Sequence, residues 1–315
     1  MKTKGIVIKS TGSWYEVMSA PRVAVACRLR GKFRLADNKN TNPVVVGDHV
    51  LFVIEPDGSG YITDILPRTN YIERKSTKLS KINHLIASNI DLALLVITQK
   101  EPRTSSGFVD RFLVSAEGFR IPVCLVFNKI DIYNPEEIIE IQRVAVLYEN
   151  IGYQAMMTSA VTGEGIETLK KNIMGKVVLF SGHSGVGKSA LANLLFPSLH
   201  LKTGEISSYH RKGKHTTTFA QMFPVDTEAR TFVIDTPGIK EFGLIQYSKE
   251  EIRDYFPEIR KYNNCCRFNN CLHVQEPGCA VREAVQNEQI APSRYYNYCS
   301  ILQDEDLQIS DWKWQ

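Results

Sequence analysis

The clearest chemical signature in the sequence is a glycine-rich segment that fits the pattern G-x-x-x-x-G-K-[ST]. It comprises Gly182, His183, Ser184, Gly185, Val186, Gly187, Lys188 and Ser189, and is followed by Ala190. An apolar segment precedes it and a helix-forming segment follows it, which is the context that the pattern requires. Glycines let backbone N–H groups close around phosphate oxygens, and the Lys188 ammonium reaches the β- and γ-phosphates, where we expect it to assist catalysis. The Ser189 hydroxyl is a ligand for Mg²⁺, so the segment predicts a nucleoside triphosphate site.

Two further polar segments add to this phosphate site. Asp235 ends an apolar segment, and Gly238 follows three residues later. An acid at a strand end orients Mg²⁺, directly or through a water, and the Gly238 N–H approaches a γ-phosphate without side-chain hindrance. Between the two segments lie three consecutive threonines, 216–218, one of which would complete the Mg²⁺ shell unless the segment is a plain polar loop. We favour Thr217, although the sequence does not decide among the three.

A third group of residues has the chemistry to read a guanine base. The Asp131 carboxylate can accept from both N1–H and the N2 amine of guanine, whereas adenine would leave that acid unpaired. The Lys129 stem can lie over the base plane, and Asn128 can tie neighbouring loops together. Backbone N–H groups of a second segment can meet the guanine O6: Thr158, Ser159 and Ala160. Asn-Lys-x-Asp alone is a weak signal, but together with the phosphate segments it predicts a guanine nucleotide site.

The order of these segments is unusual. Small GTPases run from the phosphate loop to the base-reading loops, whereas here 128–131 and 158–160 come before 182–189 and 235–238. This order predicts a circular permutation, which is physically tolerable because every loop still lies at the carboxyl end of a parallel strand. The segment after Asp235 then leads directly into the C-terminal region, so nucleotide state can act on whatever that region binds.

A cluster of cysteines near the C-terminus has the spacing of a metal site. Cys266, Cys271, His273 and Cys279 fall within fourteen residues, and three thiolates with one imidazole suit tetrahedral Zn²⁺. No open coordination position is evident, so we expect one structural zinc. Cys265 is a competing ligand by adjacency, and a cluster of free buried cysteines is the alternative. The other three cysteines are interpreted as ordinary core or surface residues.

The elements that must position these residues fall into three regions. The first 70 residues predict about five short strands and a small closed barrel, with an oligonucleotide-binding (OB) barrel as the leading candidate. Within 22–35, Val23, Val25, Cys27, Leu29, Phe33 and Leu35 alternate with basic residues, which predicts a half-buried strand with a basic outer face. Residues 71–89 are interpreted as a connector. From residue 90, near-continuous apolar strands and intervening helices predict a parallel α/β sheet, and the chain becomes helical and cysteine-rich from about 246.

Composition narrows the function classes. The chain has 315 residues, 43% of them hydrophobic, and a net charge of +4, which excludes a wholly disordered protein. Residues 1–81 hold 14 Lys and Arg against seven Asp and Glu, which favours a polyanionic partner. No stretch has the length of a signal peptide or a membrane span, and the odd, clustered cysteines argue against a disulfide scaffold. We therefore expect a cytoplasmic protein with no membrane partner, and a monomer.

Taken in order, the motifs NKID, TSA, GHSGVGKS, KHTTT, DTPG and CRFNNCLHVQEPGC closely resemble the ribosome small-subunit-dependent GTPase A family of bacteria. The resemblance covers nearly the whole chain. It implies an OB-fold domain (1–70), a circularly permuted GTPase domain (71–245, with linker 71–89) and a helical zinc-binding domain (246–315). It also implies late maturation of the 30S subunit, contacts with 16S rRNA, and GTP hydrolysis to GDP and phosphate stimulated by that subunit. We expect this chain to lack the basic N-terminal extension that members of the family often carry.

Which residue assists the attacking water is a separate hypothesis. Many small GTPases place a Gln directly after Asp-x-x-Gly to orient the attacking water, whereas this chain has Ile239 there. Slow hydrolysis by the isolated protein is therefore expected, with another group supplied on ordering or by RNA. His215 is the candidate and His183 a weaker one, although either can be a plain loop residue. Two rivals stay open: a P-loop kinase or ATPase, and a nucleotide-gated RNA-binding protein with little hydrolysis.

Overall fold

The structure is a computed structural model that describes residues 2–20, 23–29, 43–75, 83–197, 221–226, 230–235 and 247–303. Its N-terminal part is a closed five-stranded barrel of OB type. The strands are β1 (Thr3–Ser10), β2 (Tyr15–Ala20), β3 (Val23–Leu29), β4 (His49–Ile54) and β5 (Gly60–Ile65). They pair in the order β1–β2–β3–β5–β4, and β4 also pairs with β1, which closes the barrel. The predicted barrel is therefore confirmed.

The predicted alternation along β3 is confirmed in part. Val25 and Cys27 are buried in the barrel core and Arg28 is exposed, as expected for a strand with one dry face. The prediction was wrong for Val23, which is 52% exposed because it begins the strand, where the barrel interior has ended. The remaining positions of the proposed basic stripe, 30–35 and Arg22, lie outside the described residues.

The segment interpreted as a connector contains regular structure. Strands β6 (Tyr71–Lys75) and β7 (Asn83–Ser88) pair antiparallel as a separate two-stranded sheet. Next to it, the buried Asp48 carboxylate accepts from Arg68 Nε at 2.6 Å and Nη2 at 2.7 Å, and from Ser88 Oγ at 2.6 Å. Since Asp48 belongs to the barrel region and Ser88 leads into the α/β sheet, this cluster joins the two.

The central region is a doubly covered sheet, as predicted. Its strands are β8 (Leu92–Ile97), β9 (Val123–Phe127), β10 (Gln154–Met157), β11 (Val177–Ser181), β12 (Gln221–Asp226) and β13 (Thr231–Asp235). The order is β10–β9–β8–β11–β13–β12, with all pairs parallel except β12–β13. Sequence analysis missed β12. This strand also pairs with β1 of the barrel, Lys9 opposite Gln221, so barrel and α/β sheet share one eleven-stranded sheet.

Four helices pack on this sheet: α1 (Ser106–Phe119), α2 (Pro135–Ile151), α3 (Ile166–Ile173) and α4 (Lys188–Leu195). Helix α2 begins with a capping box, in which Asn134 Oδ1 accepts from the Glu137 N–H and the Glu137 carboxylate accepts from the Asn134 N–H, each at 2.8 Å. Buried residues lie on both faces of the sheet, as its apolar strands require.

The C-terminal region is built from short helices: α5 (Lys249–Asp254), α6 (Pro257–Arg260), α7 (Ala280–Gln286) and α8 (Pro292–Leu302). Its small core includes Ile252, Phe256 and Tyr298, and Val114 of α1 belongs to the same cluster. The region therefore packs along α1. Among the described residues, no helix has both the length and the apolar character needed to cross a membrane.

Candidate nucleotide site and metal centre

The glycine-rich segment forms a loop between β11 and α4, at the carboxyl end of the sheet. Gly182 and Gly187 have φ angles of 132° and 96°, in the region that favours glycine. A Cβ on Gly182 would lie 2.2 Å from the Val96 carbonyl oxygen, and one on Gly187 would lie 2.3 Å from Asn128 Nδ2. Gly182 therefore requires glycine because the backbone of β8 lies this close, and Gly187 because its φ is positive and the Asn128 side chain fills the space beside it.

The ammonium group of Lys188 is held in place by the loop itself. Lys188 is 7% exposed, and its Nζ donates to the carbonyl oxygens of Gly182 at 2.9 Å and His183 at 2.6 Å. Ser189 is buried beside it at the start of α4. The remaining loop residues, Ser184 and Gly185, are exposed, and Ala190 is half-buried. The loop thus presents an ammonium and a helix N-terminus to the same space, the arrangement that binds phosphate.

His183 has a partner that sequence analysis did not find. Its ring lies 3.9 Å, centroid to centroid, from that of Phe108 in the first turn of α1. His183 is exposed overall, but partial burial of its ring, and secondly the Lys188 ammonium, lower its pKa below the ordinary value, which favours the neutral imidazole. A neutral ring stacked on Phe108 supports the phosphate loop from the side of α1.

The base-reading residues are tied to the phosphate loop. Asn128 is 1% exposed, its Nδ2 donates to the Val186 carbonyl at 2.8 Å, and its Oδ1 accepts from Thr158 Oγ1 at 3.1 Å. One side chain therefore connects both base-reading segments with the phosphate loop. This agrees with the expectation that Asn128 ties loops together.

Asp131 lies at the open edge of this arrangement. Its Oδ1 accepts from Ser159 Oγ at 2.5 Å, and Ser159 Oγ in turn accepts from the N–H groups of Val161 and Thr162. Asp131 is exposed, so its second oxygen is available to a ligand. Lys129, which has a φ of 65°, donates from Nζ to the Glu101 carbonyl oxygen, and this contact holds its stem beside the site. Ala160 follows Ser159 and is half-buried.

Part of the predicted site cannot be placed. Asp235 ends β13, which pairs with β11, and its role toward Mg²⁺ stays a prediction. His215, Thr217, Gly238 and Ile239 lie outside the described residues, so their roles stay predictions.

The four predicted metal ligands converge. One ligand atom from each of Cys266, Cys271, His273 and Cys279 lies within 4.8 Å of the other three. His273 Nδ1 is 3.5 Å from Cys266 Sγ and 3.4 Å from Cys279 Sγ, distances that fit neighbouring ligands of one tetrahedral zinc. Cys265 is exposed and outside the cluster, so the structure selects Cys266.

Asn263 and Asp254 orient the imidazole through hydrogen bonds that the sequence did not predict. His273 Nε2 lies 2.9 Å from Asn263 Oδ1, and Asn263 Nδ2 donates to Asp254 Oδ1, also at 2.9 Å. With Nε2 as the donor, Nδ1 faces the thiols with its lone pair. Burial, with Arg253 as a lesser cause, lowers the pKa of His273 to about 4, so the ring is neutral as a metal ligand requires. Burial raises the pKa of Cys271 to about 12, so metal binding there must displace a proton.

The geometry fits the relatives of this chain. A family model described as RsgA GTPase matches residues 65–245, and one described as RsgA N-terminal domain matches residues 4–62. The small ribosomal subunit biogenesis GTPase RsgA of Bacteroides fragilis is 50% identical over 303 residues, which cover 96% of this chain and 97% of that protein. The chain belongs to the RsgA GTPase family. The RsgA of Christiangramia forsetii is 47% identical over 306 residues, with 96% of each chain covered.

Solved structures similar to this chain agree. YjeQ from Thermotoga maritima is 35% identical and has a TM-score of 0.79, with 96% of this chain and 98% of that chain covered. YloQ, described as a circularly permuted GTPase, is 28% identical and has a TM-score of 0.75, with 98% of each covered. The resemblance and the permutation predicted from the order of the motifs are therefore confirmed. As a member of this family, the chain is a GTP hydrolase.

Proposed function

We propose that this GTPase acts in biogenesis of the small ribosomal subunit, as a checkpoint late in 30S maturation. It would bind the 30S subunit and its 16S rRNA, and hydrolyse GTP when that subunit stimulates it. The observation that carries the proposal is the 50% identity, over 96% of the chain, to a relative named for small ribosomal subunit biogenesis. The connected base and phosphate loops give that relationship a chemical basis.

We assign nucleotide recognition to the residues described above. Asp131 would read N1–H and N2 of guanine, while the N–H groups of 158–160 would meet O6. Lys188 would move from the loop carbonyls to the β- and γ-phosphates, since the phosphate charge is the stronger partner. Mg²⁺ would be held by Ser189 and Thr217 and oriented by Asp235, and it would neutralise charge on the phosphates. The Gly238 N–H would contact the γ-phosphate.

Hydrolysis would depend on the subunit. Ile239 offers no hydrogen bond to the attacking water, so the isolated protein should turn over slowly. We propose His215, brought in when its loop orders, as the group that completes catalysis. A turnover with 30S subunits that is unchanged by His215→Ala would exclude that role.

The basic barrel region favours contact with RNA. Residues 1–81 carry an excess of basic side chains, and Arg28 is exposed on the barrel, where its guanidinium lies 4.0 Å over the Trp14 ring. We propose that the barrel (1–70) and the C-terminal domain (246–315), with one structural zinc, contact rRNA, while 71–245 is the GTPase domain. Such binding should weaken as salt rises, because phosphate contacts release counterions. We further propose a monomer that works in the cytoplasm, where bacterial subunits mature.

The test is GTP turnover by the purified protein, alone and with 30S subunits, 50S subunits or 70S ribosomes. We expect a large stimulation by 30S subunits alone. If no particle stimulates turnover while GTP still binds tightly, the protein is instead a nucleotide-gated RNA-binding protein with little hydrolysis. Competition between GTP and ATP in the same preparation tests the guanine assignment.

A further inference from the structure

A buried arginine joins the C-terminal region to the GTPase region. Arg294 of α8 is 2% exposed, and its Nη1 donates to Asp110 Oδ1 of α1 at 2.5 Å. Its Nε and Nη2 donate to the two carboxylate oxygens of Glu258 in α6, at 2.6 and 3.2 Å. The guanidinium therefore binds one acid from each region.

Asp110 has further donors. Tyr148 of α2 donates its hydroxyl to Oδ1 at 2.7 Å, and Asn297 of α8 donates Nδ2 to Oδ2 at 2.6 Å. Within the described residues, these partners of the fully buried side chain are all donors, which favours a carboxylate, although burial raises the pKa of Asp110. Separating Arg294 from Asp110 would leave buried charges unpaired, which is strongly unfavourable. Helices α1, α2, α6 and α8 are thus held together as one unit.

The same helix α1 supports the phosphate loop. Phe108, two residues before Asp110, stacks on His183 of that loop. Ser105 caps α1 by accepting from the Phe108 N–H at 3.2 Å, and Pro102, just before it, lies beside Gly185. A shift of the first turn of α1 therefore moves groups that touch the phosphate loop.

Helix α8 also holds the metal loop. The hydroxyls of Tyr295 and Tyr298 donate to the carbonyls of His273 and Leu272, each at 2.6 Å. Arg294 is therefore adjacent in sequence to a residue bonded to a metal ligand. Farther along α1, Glu117 pairs with Arg260 of α6 at 3.7 Å. A continuous set of contacts thus runs from the metal loop to the phosphate loop, through α8 and α1.

We infer that Arg294 is a positioning residue for GTP hydrolysis, which couples the metal-bearing C-terminal region to the phosphate loop through Asp110, α1 and Phe108. Because coupling between two sites is reciprocal, a nucleotide in the phosphate loop alters the C-terminal region, and a partner on that region alters the phosphate loop. The effect of a C-terminal partner on the phosphate loop is the second direction, and it rests on the proposed stimulation by 30S subunits. The effect of nucleotide on the C-terminal region is the first direction, and it does not.

The first direction is tested by hydrogen–deuterium exchange of the full chain, with and without a non-hydrolysable GTP analogue. In the wild type we expect slower exchange in α8 and the metal loop as well as in the phosphate loop. The variant Asp110→Asn/Glu258→Gln/Arg294→Met removes the ion pairs without leaving a buried charge. It should keep the phosphate-loop response and lose the response of α8. Arg143→Met, an arginine whose side chain is 75% exposed, is the matched control and should behave as the wild type.

A second variant keeps the test decisive if the triple variant does not fold. Phe108→Leu cuts the path at the phosphate loop and leaves every charge paired. It should also lose the α8 response, and its 30S-stimulated kcat should fall about 3- to 30-fold, with the KM for GTP little changed. The inference is wrong if the wild-type response is confined to the phosphate loop, or if Phe108→Leu retains the α8 response. A wild type that responds in α8 but is not stimulated by 30S subunits would refute the proposed function and leave the coupling standing.

Discussion

Replacing Asn263 by Ala should weaken zinc binding, although Asn263 is not a ligand. Its Oδ1 lies 2.9 Å from His273 Nε2, and its amide is held by Asp254 Oδ1 at 2.9 Å. The pair fixes both the tautomer and the plane of the imidazole, so that Nδ1 faces the thiols. Without Asn263 the ring can turn, and Nε2–H would lose its acceptor in a site where His273 is fully buried.

The size of the effect follows from the hydrogen bond that is lost. Removing an outer-shell partner of a metal-bound histidine costs about 10- to 100-fold in affinity, or about 1.4–2.8 kcal/mol. The zinc affinity of Asn263→Ala should therefore fall by that factor. Competition with a chromogenic chelator at fixed pH measures it directly, and zinc content after dialysis gives an independent value.

The neighbouring Asn264 provides a matched control. It is exposed, so Asn264→Ala should leave the zinc affinity unchanged. Equal weakening by the two substitutions would mean that the loop, rather than the hydrogen bond, controls the affinity. An unchanged zinc affinity in Asn263→Ala would refute the role of the Asn263–His273 hydrogen bond.

Three other substitutions test the remaining parts of the molecule. Asp131→Asn should lower GTP affinity by about 10²-fold or more, because a charged acceptor for two guanine donors is lost, and should favour xanthosine triphosphate in a competition assay. Gly187→Ala should abolish GTP binding measured by calorimetry while the circular dichroism spectrum stays native, because its Cβ would collide with Asn128 Nδ2. Arg68→Met should destabilise the protein by about 3–5 kcal/mol in urea unfolding, because Asp48 would remain buried and charged, whereas Arg28→Met on the barrel surface should have little effect.

The sequence predicted those parts of the site that are contiguous and chemically constrained. A strand, a glycine-rich turn and a lysine at fixed spacing have few alternatives, and neither have three cysteines and a histidine within fourteen residues. The structure brings the four metal ligands together and joins Asn128 to both neighbouring loops. The residues around them were not predictable, because Asn263 and Phe108 have no distinctive spacing and gain their roles only through packing.

Long-range structure escaped sequence analysis for a similar reason. Asp110 and Arg294 are 184 residues apart, and no local pattern joins them. Strand β12 contains Pro224, which is a poor strand former, yet pairing with β13 on one side and β1 on the other fixes it in the sheet. Strands β6 and β7 are rich in polar residues and lack a clear alternation, so the sequence alone favours a connector there.

The permuted order of the loops affects how the chain folds during its synthesis. Asp131 leaves the ribosome before Ser189, and at about 5–20 residues per second the delay is roughly 3–12 s. Once 158–160 have also been made, the nascent chain has its guanine-reading groups but no phosphate cradle, and the Asn128 amide lacks the Val186 carbonyl to which it donates. GTP can therefore stabilise the nascent protein only once synthesis has passed α4. Nucleotide thus acts late in folding, as a ligand that binds the base-reading loops and the phosphate loop together.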